Sequence, residues 1–324
     1  MKNIYFCALL VIMCNTFSMW SWNVCGLRDV HKFERIITEI LDSKISVTCL
    51  QETFWNEDFI GKYAHMWPGR LYYSNCNETV SKGVAVLISP DFSNSVDYVY
   101  TDKIGRFLKL SMIIEEKQYY LMNVYASNNN KERLAFFKEI KKELSDHNNI
   151  ISGDFNEILD PLLDMGVNNK TFCVNSSNAL NNILLYHDLL DVWRHKHYDK
   201  KEFSRQQLVS GVLKQSRIDL SLVSRNIISN VNNCYIRYTS VSDHNIICTK
   251  FDFSEVERGP GVWIFNNQLL EDAVFTNKIN NIIEENKKCP LLITEPEIWW
   301  DNLKYQLKRF SKYYSSKKKK EQLK

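Results

Sequence analysis

The nine cysteines of this 324-residue chain include no pair at the Cys-x-x-Cys spacing of zinc ribbons and redox motifs. Their number is odd, and they are scattered at Cys7, Cys14, Cys25, Cys49, Cys76, Cys173, Cys234, Cys248 and Cys289. The sequence therefore indicates neither a structural zinc site nor a disulfide framework. Several of them stand inside apolar runs, as buried free thiols do, which favours a reducing compartment. Internal repeats are also missing, so a repeat architecture is not expected.

The apolar run from Ile4 to Cys14 is shorter than the roughly 20 residues that a membrane-spanning helix needs. No stable membrane association is therefore expected. Lys2 precedes this run and the small residues Thr16 and Ser18 follow it, which is the pattern of a secretory signal peptide. Residues 1–18 are accordingly predicted to be an apolar leader. The alternative is an apolar segment that merely precedes the first strand and has no targeting role.

The net charge of +3 is unevenly distributed along the chain. From Lys304 onward there are nine Lys/Arg and one acidic residue, so this tail carries +8 and leaves −5 for the rest. A basic tail suits a polyanion such as nucleic acid, while a mildly acidic body suits a cation site. The alternative for the tail is a solvated helix end that binds nothing.

Short runs rich in β-branched and aromatic residues predict eight strands: Trp20–Val24, Val47–Leu50, Val84–Ser89, Leu108–Ile114, Tyr120–Tyr125, Ile150–Ser152, Ile218–Val223 and Ile246–Phe251. Apolar residues at helical spacing predict helices between them, at Val30–Leu41 with Asp29 as its N-cap, Leu134–Leu144 and Leu180–Leu190. Strands that alternate with helices over this length predict a layered α/β domain.

The sequence changes character after Phe253. Arg258-Gly-Pro-Gly261 is a breaker cluster, and two polar helical patterns follow it, at Leu269–Asn286 and Glu297–Tyr314. A domain boundary is therefore predicted near residue 254, with an α/β domain over residues 19–253 and a helical, lysine-rich segment over residues 254–324.

Five short motifs stand at the ends of predicted strands, where functional sites gather in α/β folds. They are Ser21–Arg28, Leu50–Thr53, Asn123–Ala126, Ser152–Asn156, and the pair Ser216–Asp219 and Ser242–His244. Taken singly, each has a structural explanation, because a carboxylate after a strand often caps a helix and a lone histidine is often structural. Together they supply carboxylates, amides, a tyrosine and a histidine, as Mg²⁺-assisted phosphate chemistry requires.

These motifs, in this order, resemble those of the exonuclease III and apurinic-endonuclease branch of the endonuclease/exonuclease/phosphatase superfamily, which also contains DNase I. The matching segments span Trp20 to about Phe253. The resemblance implies a four-layer α/β sandwich, in which two mixed β-sheets lie face to face with helices outside. It also implies a hydrolase that cleaves phosphodiester bonds, with DNA as its partner and no small-molecule cofactor.

Two segments beyond this domain look like the linker that joins endonuclease to reverse transcriptase in LINE-type retrotransposon proteins. They are Gly259–Leu270 and Trp299–Lys304. The resemblance implies an enzyme that nicks DNA and leaves a 3′-hydroxyl to prime reverse transcription, with a reverse-transcriptase domain in cis in the parent element. It implies a nuclear location, or secretion if the leader is a true signal peptide.

The resemblance assigns the metal site residue by residue. Glu52 would be the main ligand of Mg²⁺, for which Mn²⁺ could substitute, with Asp243 and Asn23 near the metal. Repair enzymes of this branch carry an aspartate two residues after the asparagine of the Trp-Asn pair, whereas this chain has Cys25, a poor Mg²⁺ ligand. This departure favours the retrotransposon branch over the repair enzymes.

The catalytic roles carry over in the same way. Asp154 would orient or deprotonate the attacking water, and Asn156 beside it would hold the phosphate. His244, held by Asp219, would donate to a non-bridging phosphate oxygen, and Tyr125 would touch the scissile phosphate or the leaving group.

Further substrate contacts are expected from Arg28, Asn128, Ser204 and Arg217. The hydroxyl that usually precedes the Ser-Arg-Ile-Asp motif has no clean counterpart here, and Ser204 is its candidate.

Alternative functions fit parts of the same pattern. The first is an exonuclease III-like repair activity on abasic DNA, which Cys25 disfavours. A secreted DNase I-like nuclease would need the leader and has no paired cysteines to support it, and the retrotransposon-like linker speaks against a phosphatase of the same fold. From another class, the chain could be an inactive nucleic-acid-binding relic.

Overall fold

The computed structural model describes residues 15–75, 82–92, 94–168, 173–254 and 265–322. The chain divides into two compact units, Met1–Ser254 and Glu255–Lys324. Strands β1 to β14 and helices α1 to α8 are numbered below in chain order.

The first unit contains two six-stranded sheets. In spatial order, the first sheet consists of β13 (Val231–Arg237), β14 (Ile246–Asp252), β1 (Thr16–Asn23), β2 (Val47–Gln51), β4 (Val84–Ile88) and β3 (Arg70–Ser74). Strand β1 runs parallel to β2 and antiparallel to β14, so the sheet is mixed.

The second sheet is mixed as well. Its strands, in spatial order, are β5 (Val96–Thr101), β6 (Phe107–Ile114), β7 (Lys117–Tyr125), β8 (Asn149–Asp154), β12 (Asp219–Ser224) and β9 (Leu189–Asp191). Strand β7 is parallel to β8, whereas β8 pairs with β12 in antiparallel fashion. A separate hairpin joins β10 (Arg205–Val209) to β11 (Val212–Ser216).

Strand β1 shows how the layers form, because successive side chains of a strand point to opposite faces. Met19 belongs to a core that includes buried residues of both sheets, such as Leu121 of β7. Trp20 and Trp22 belong to another core, together with residues of the helices outside the first sheet. Both faces of β1 are therefore covered.

Helices cover the outer face of each sheet. Helices α1 (Val30–Asp42) and α2 (Glu57–Tyr63) pack on the first sheet, and α3 (Asn130–Glu143) and α4 (Val174–Tyr186) pack on the second. A short helix, α5 (Val192–Lys196), follows β9 directly. The predicted four-layer α/β sandwich is confirmed.

Helix α1 has the cap that its sequence predicts. The Asp29 carboxylate accepts a hydrogen bond of 2.7 Å from the Lys32 backbone N–H. Such a cap contributes about 1 kcal/mol to helix stability. The apolar residues of the predicted stripe face the core, with Phe33, Ile36 and Ile40 at most 1% exposed.

The structure differs from the sequence predictions mainly at short elements. The helix predicted at Leu180–Leu190 begins earlier, at Val174, and ends at Tyr186, while Leu189 and Leu190 form β9. Asp188 between them has a positive φ of 48°, which ends the helix and turns the chain into the sheet. Strands such as β5 and β10 were not predicted, because their exposed, mixed residues give no apolar run.

The predicted leader overlaps the fold at its end. Residues 16–18 belong to β1, and Phe17 is buried in the core between the sheets, so the leader boundary at residue 18 is corrected. Residues 1–14 lie outside the described part of the chain. The cysteines that the structure describes are unpaired: Cys25, Cys49, Cys173, Cys234, Cys248 and Cys289.

The second unit is helical over its described residues. It comprises a 3₁₀ turn at Asn267–Glu271 and helices α6 (Ala273–Lys287), α7 (Leu291–Thr294) and α8 (Pro296–Gln322). Phe275 of α6 stacks on Phe310 of α8 with ring centroids 5.4 Å apart. Across the ranges described, no helix is both long and apolar enough to cross a membrane. The breaker cluster at Arg258–Gly261 lies outside those ranges.

Candidate active site

Two hydrogen bonds between side chains join the two sheets near the edge where β1, β2, β7 and β8 end. The Asn23 amide nitrogen donates to Asp154 Oδ2 over 2.8 Å. Gln51 Nε2 donates to Asn123 Oδ1 over 2.7 Å. All four side chains are buried, so these bonds fix the strand ends of one sheet against those of the other.

Asp154 lies at the centre of this edge and is 1% exposed. Its Oδ1 accepts the Asn156 backbone N–H over 2.8 Å, and its Oδ2 faces His244 Nε2 at 3.9 Å. Burial and the nearby Asp219 carboxylate raise the pKa of Asp154, while His244 and the Asn23 amide act in the opposite direction. A buried carboxyl with a raised pKa is suited to accept a proton near neutral pH.

His244 stands between two carboxylates. Its Nδ1 lies 2.9 Å from Asp219 Oδ2, and its Nε2 points toward Asp154. Burial alone lowers the pKa of His244, but the Asp219 and Asp154 carboxylates outweigh it, so the net shift is upward. The two carboxylates thus favour the imidazolium form of His244, with Nδ1 held by Asp219 and Nε2 facing Asp154.

The Ser242-Asp-His loop is attached to the end of β1. The Ser242 hydroxyl donates to the Asn23 carbonyl over 2.8 Å and accepts the His244 backbone N–H over 3.1 Å. Asn23 thus bonds to Asp154 through its side chain and to the histidine loop through its backbone carbonyl.

A second group of side chains forms the outer part of the site. Glu52 follows β2 with a positive φ of 53°, and Asp243 is half-buried beside His244. Burial, Asp243 and Glu52 together raise the pKa of the exposed Cys25, which places both carboxylates near that thiol. Burial and then Glu52 raise the pKa of Tyr125, so its hydroxyl stays protonated and can donate.

Asn156 lies beside Asp154 in a left-handed conformation, with φ of 47°. Its amide nitrogen donates to the Ala126 carbonyl over 2.8 Å, which ties the end of β8 to the segment after β7. The residue is half-buried, so its side chain borders the open part of the site.

Two of the residues predicted to bind substrate are structural instead. Ser204 is fully buried, and its hydroxyl donates to Asp219 Oδ2 over 2.6 Å while it accepts the Asp219 backbone N–H. Arg217 is 1% exposed and forms ion pairs with Asp164 and Asp191, at 2.8 and 2.7 Å. Ser204 therefore positions the partner of His244, and Arg217 holds the segment before β12; neither can reach substrate.

The Asn23 side chain also has protein partners. Its amide oxygen accepts the Cys25 backbone N–H over 3.0 Å, and its amide nitrogen is used by Asp154. Asn23 is fully buried, and these bonds make it a positioning residue for Asp154, while its predicted contact with the metal stays a prediction. By contrast, Arg28 and Asn128 are exposed at the surface, where a substrate contact remains a prediction.

Three residues near the site were missed by the sequence reasoning. Gln51 and Asn123 form the buried amide pair described above. Arg205 of β10 lies 3.3 Å from Asp243 Oδ2 and pairs its backbone with His244. The motifs that contain Gln51 and Asn123 stood out in the sequence, but a link across 72 residues has no local signal.

The donor atoms fit a hard divalent cation in the outer part of the site. In the described ranges, one group of three side chains (Asp154, Asp219 and His244) brings possible ligand atoms within 4.8 Å of one another. These side chains already have partners, because His244 bonds to Asp219 and the Asp154 carboxylate accepts the Asn23 amide. The half-buried carboxylates of Glu52 and Asp243 face solvent more openly and are the oxygen donors that Mg²⁺ prefers.

Comparison with known proteins gives both a family and relatives. The chain is 29% identical, over 302 residues, to the transposon TX1 uncharacterized 149 kDa protein of Xenopus laevis. This alignment covers 92% of the chain but only 23% of the Xenopus protein.

Two solved structures share the fold. The AP endonuclease LMAP from Leishmania major superposes with a TM-score of 0.63 at 17% identity, over 74% of this chain and 88% of that protein. The endonuclease domain of TRAS1, a telomere-specific non-LTR retrotransposon, superposes with a TM-score of 0.56 at 14% identity, over 75% of this chain and all of that domain.

The family model matches residues 20–244, which run from the second half of β1 to the histidine of the site. The match therefore includes every strand of both sheets apart from the first half of β1 and all of β14, and it includes the side chains of the candidate site described above. The chain belongs to the Endonuclease/Exonuclease/phosphatase family.

Proposed function

We propose that this chain is a Mg²⁺-dependent endonuclease that nicks DNA and leaves a 3′-hydroxyl, as target-primed reverse transcription requires. The observation that carries the proposal is the buried chain Asp154–His244–Asp219, with His244 Nδ1 2.9 Å from Asp219 and Nε2 3.9 Å from Asp154. It lies beside the solvent-facing carboxylates of Glu52 and Asp243.

Asp154 is proposed to act as the general base. Its raised pKa lets it take a proton from water, and the bonds from Asn23 and Asn156 fix the direction of its lone pairs. General-base catalysis from a positioned side chain contributes about 10²–10⁴-fold. The water oxygen then bonds to phosphorus as the bond to the 3′-oxygen breaks.

His244 is proposed to stabilise the charge that builds on the non-bridging oxygens. An imidazolium held at Nδ1 by Asp219 presents Nε2–H as a fixed donor, and such pre-positioned donors stabilise the transition state more than the ground state. Tyr125 keeps its proton and is proposed to donate to the departing 3′-oxygen.

Glu52 and Asp243 are proposed to hold Mg²⁺, with Mn²⁺ as a substitute. When bound there, the ion would supply positive charge to the phosphate. Arg205 pairs with Asp243 in the structure, and its guanidinium is proposed to leave that carboxylate and bind a phosphate oxygen of the DNA.

The relatives support DNA as the substrate and a retrotransposon origin. One relative is a transposon protein, and one structural neighbour is the endonuclease domain of a non-LTR retrotransposon. The chain spans about a quarter of the Xenopus protein, which leaves room for a reverse transcriptase in cis. A nuclear location is proposed on the same ground.

A nicked plasmid tests the product directly, because only a 3′-hydroxyl is extended by a DNA polymerase without prior repair.

Glu52→Gln is expected to raise the Mg²⁺ concentration for half-maximal nicking by on the order of tenfold, because a neutral amide is a weak ligand for a hard cation. A Mg²⁺ titration of initial nicking rates measures this. The matched control is Glu116→Gln, an exposed position in the turn between β6 and β7. A Glu52→Gln titration that overlays the Glu116→Gln curve would show that Glu52 is not a ligand.

Cys25→Asp is expected to lower the Mg²⁺ concentration for half-maximal nicking severalfold, because it adds an oxygen ligand beside Glu52 and Asp243. Aspartate tolerates the positive φ of 48° at this position. Cys25→Ser controls for loss of the thiol without added charge. If the aspartate and serine variants share one Mg²⁺ dependence, residue 25 does not face the metal.

A further inference from the structure

Helix α8 carries a row of basic side chains on its exposed face. The row consists of Lys304, Lys308 and Lys312, which are all exposed. Because they are spaced four residues apart, they lie along one side of the helix. At 1.5 Å per residue, the row spans about 12 Å. From Lys304 to Lys320 the helix contains no acidic residue.

An exposed aromatic ring begins this row. Trp300 is 52% exposed and stands one turn before Lys304, whose ammonium lies 5.8 Å from the ring centroid. Lys304 also forms an exposed ion pair with Asp301, which a phosphate can replace. A large exposed ring beside cations is the arrangement that stacks unpaired bases while lysines follow the phosphates.

The rest of α8 is used to hold the second unit together. Leu303 and Phe310 are buried, and Lys318 and the Tyr314 hydroxyl both bond to Asp272 at the start of α6. The apolar side of the helix is thus unavailable for insertion into a lipid surface, which needs an exposed apolar face.

We propose that Trp300, Lys304, Lys308 and Lys312 form a second nucleic-acid site, which binds single-stranded DNA or RNA independently of the catalytic site. The lysines contact successive phosphates, and Trp300 stacks on a base. The site does not depend on the proposed nicking activity, because binding at these residues requires neither the metal nor the buried histidine and aspartates.

Binding of the full chain to fluorescent oligothymidylate and oligouridylate, and to a blunt DNA duplex, tests the proposal in EDTA over a salt series. The test variant replaces Lys304, Lys308 and Lys312 with glutamine, which preserves helix propensity. The matched control replaces Lys278, Lys287 and Lys288 with glutamine. These lysines are exposed in the same unit, so the two variants lose the same number of positive charges.

The row variant is expected to lower the slope of log affinity against log salt for a single strand by about 2, since each lost phosphate contact removes about 0.7. The control variant should keep the wild-type slope. Equal slopes for the two triple variants would overturn the proposal, because only overall charge would then matter.

Trp300→Ala separates stacking from charge. It is expected to weaken binding of a single strand about fivefold or more and to leave duplex binding unchanged, while Trp300→Phe retains the affinity. A Trp300→Ala variant that binds single strands like the wild type, or loses duplex binding equally, would overturn the single-strand assignment.

Discussion

Asp154→Ala is expected to reduce the nicking rate by about 10²-fold or more while leaving DNA affinity nearly unchanged. The residue is buried, accepts fixed hydrogen bonds from Asn23 and Asn156, and faces Nε2 of His244. Its removal deletes the proton acceptor without touching the exposed surface. Single-turnover rates on a supercoiled plasmid, measured at saturating Mg²⁺, give the comparison.

Asp154→Asn adds a stability measurement to this test. The raised pKa of Asp154 means that its ionised form is disfavoured in the folded protein, so this group costs stability above its ordinary pKa. The neutral asparagine should therefore raise or preserve the thermal midpoint at neutral pH while nicking is lost. The exposed Asp58→Ala serves as control, and an Asp154 variant that keeps more than about a tenth of wild-type activity would contradict the role.

His244→Ala is expected to reduce the nicking rate by about 10²–10³-fold, the usual loss when one donor to a transition-state oxyanion is removed. Asp219 holds the His244 ring, so Asp219→Asn should give a smaller reduction of the nicking rate. The ring then keeps a hydrogen-bond partner but loses the negative charge that favours its protonated form.

Two controls accompany the His244→Ala measurement. His65→Ala removes an exposed histidine of the 3₁₀ turn Ala64–Met66 and should nick like the wild type. The free energy of unfolding of His244→Ala shows whether the fold survives. A folded His244→Ala protein with near-wild-type rates would contradict the assignment.

The layered fold was predictable because its strongest signals are local. Strand β4, for example, is buried on both faces and reads as an apolar run, and α1 has both an apolar stripe and a capping aspartate. The edge strand β5 was not predicted because four of its six residues are exposed and no apolar pattern results.

The site was predictable only in part, because partners distant in sequence decide what each residue does. Arg217 and Ser204 sit in or near recognisable motifs, yet their partners include Asp164 and Asp219, and both are buried away from solvent. The sequence placed Asn23 near the metal but gave no sign that its amide also bonds to Asp154 and to the Cys25 backbone. Composition and spacing identify the chemical groups of a site, but they do not show which polar atoms already have protein partners and which can still bind a metal or substrate.

The measurement that tests the central claim most directly is plasmid nicking by the full chain in Mg²⁺, with EDTA and Asp154→Ala as paired controls. We expect Mg²⁺-dependent conversion of supercoiled to open-circular DNA that a polymerase can extend, and none with EDTA or with Asp154→Ala. A duplex with one abasic site, run in parallel, should not be strongly preferred over intact DNA. Absence of nicking by the folded wild-type protein in Mg²⁺, or equal nicking by Asp154→Ala, would contradict the account and favour an inactive nucleic-acid-binding protein.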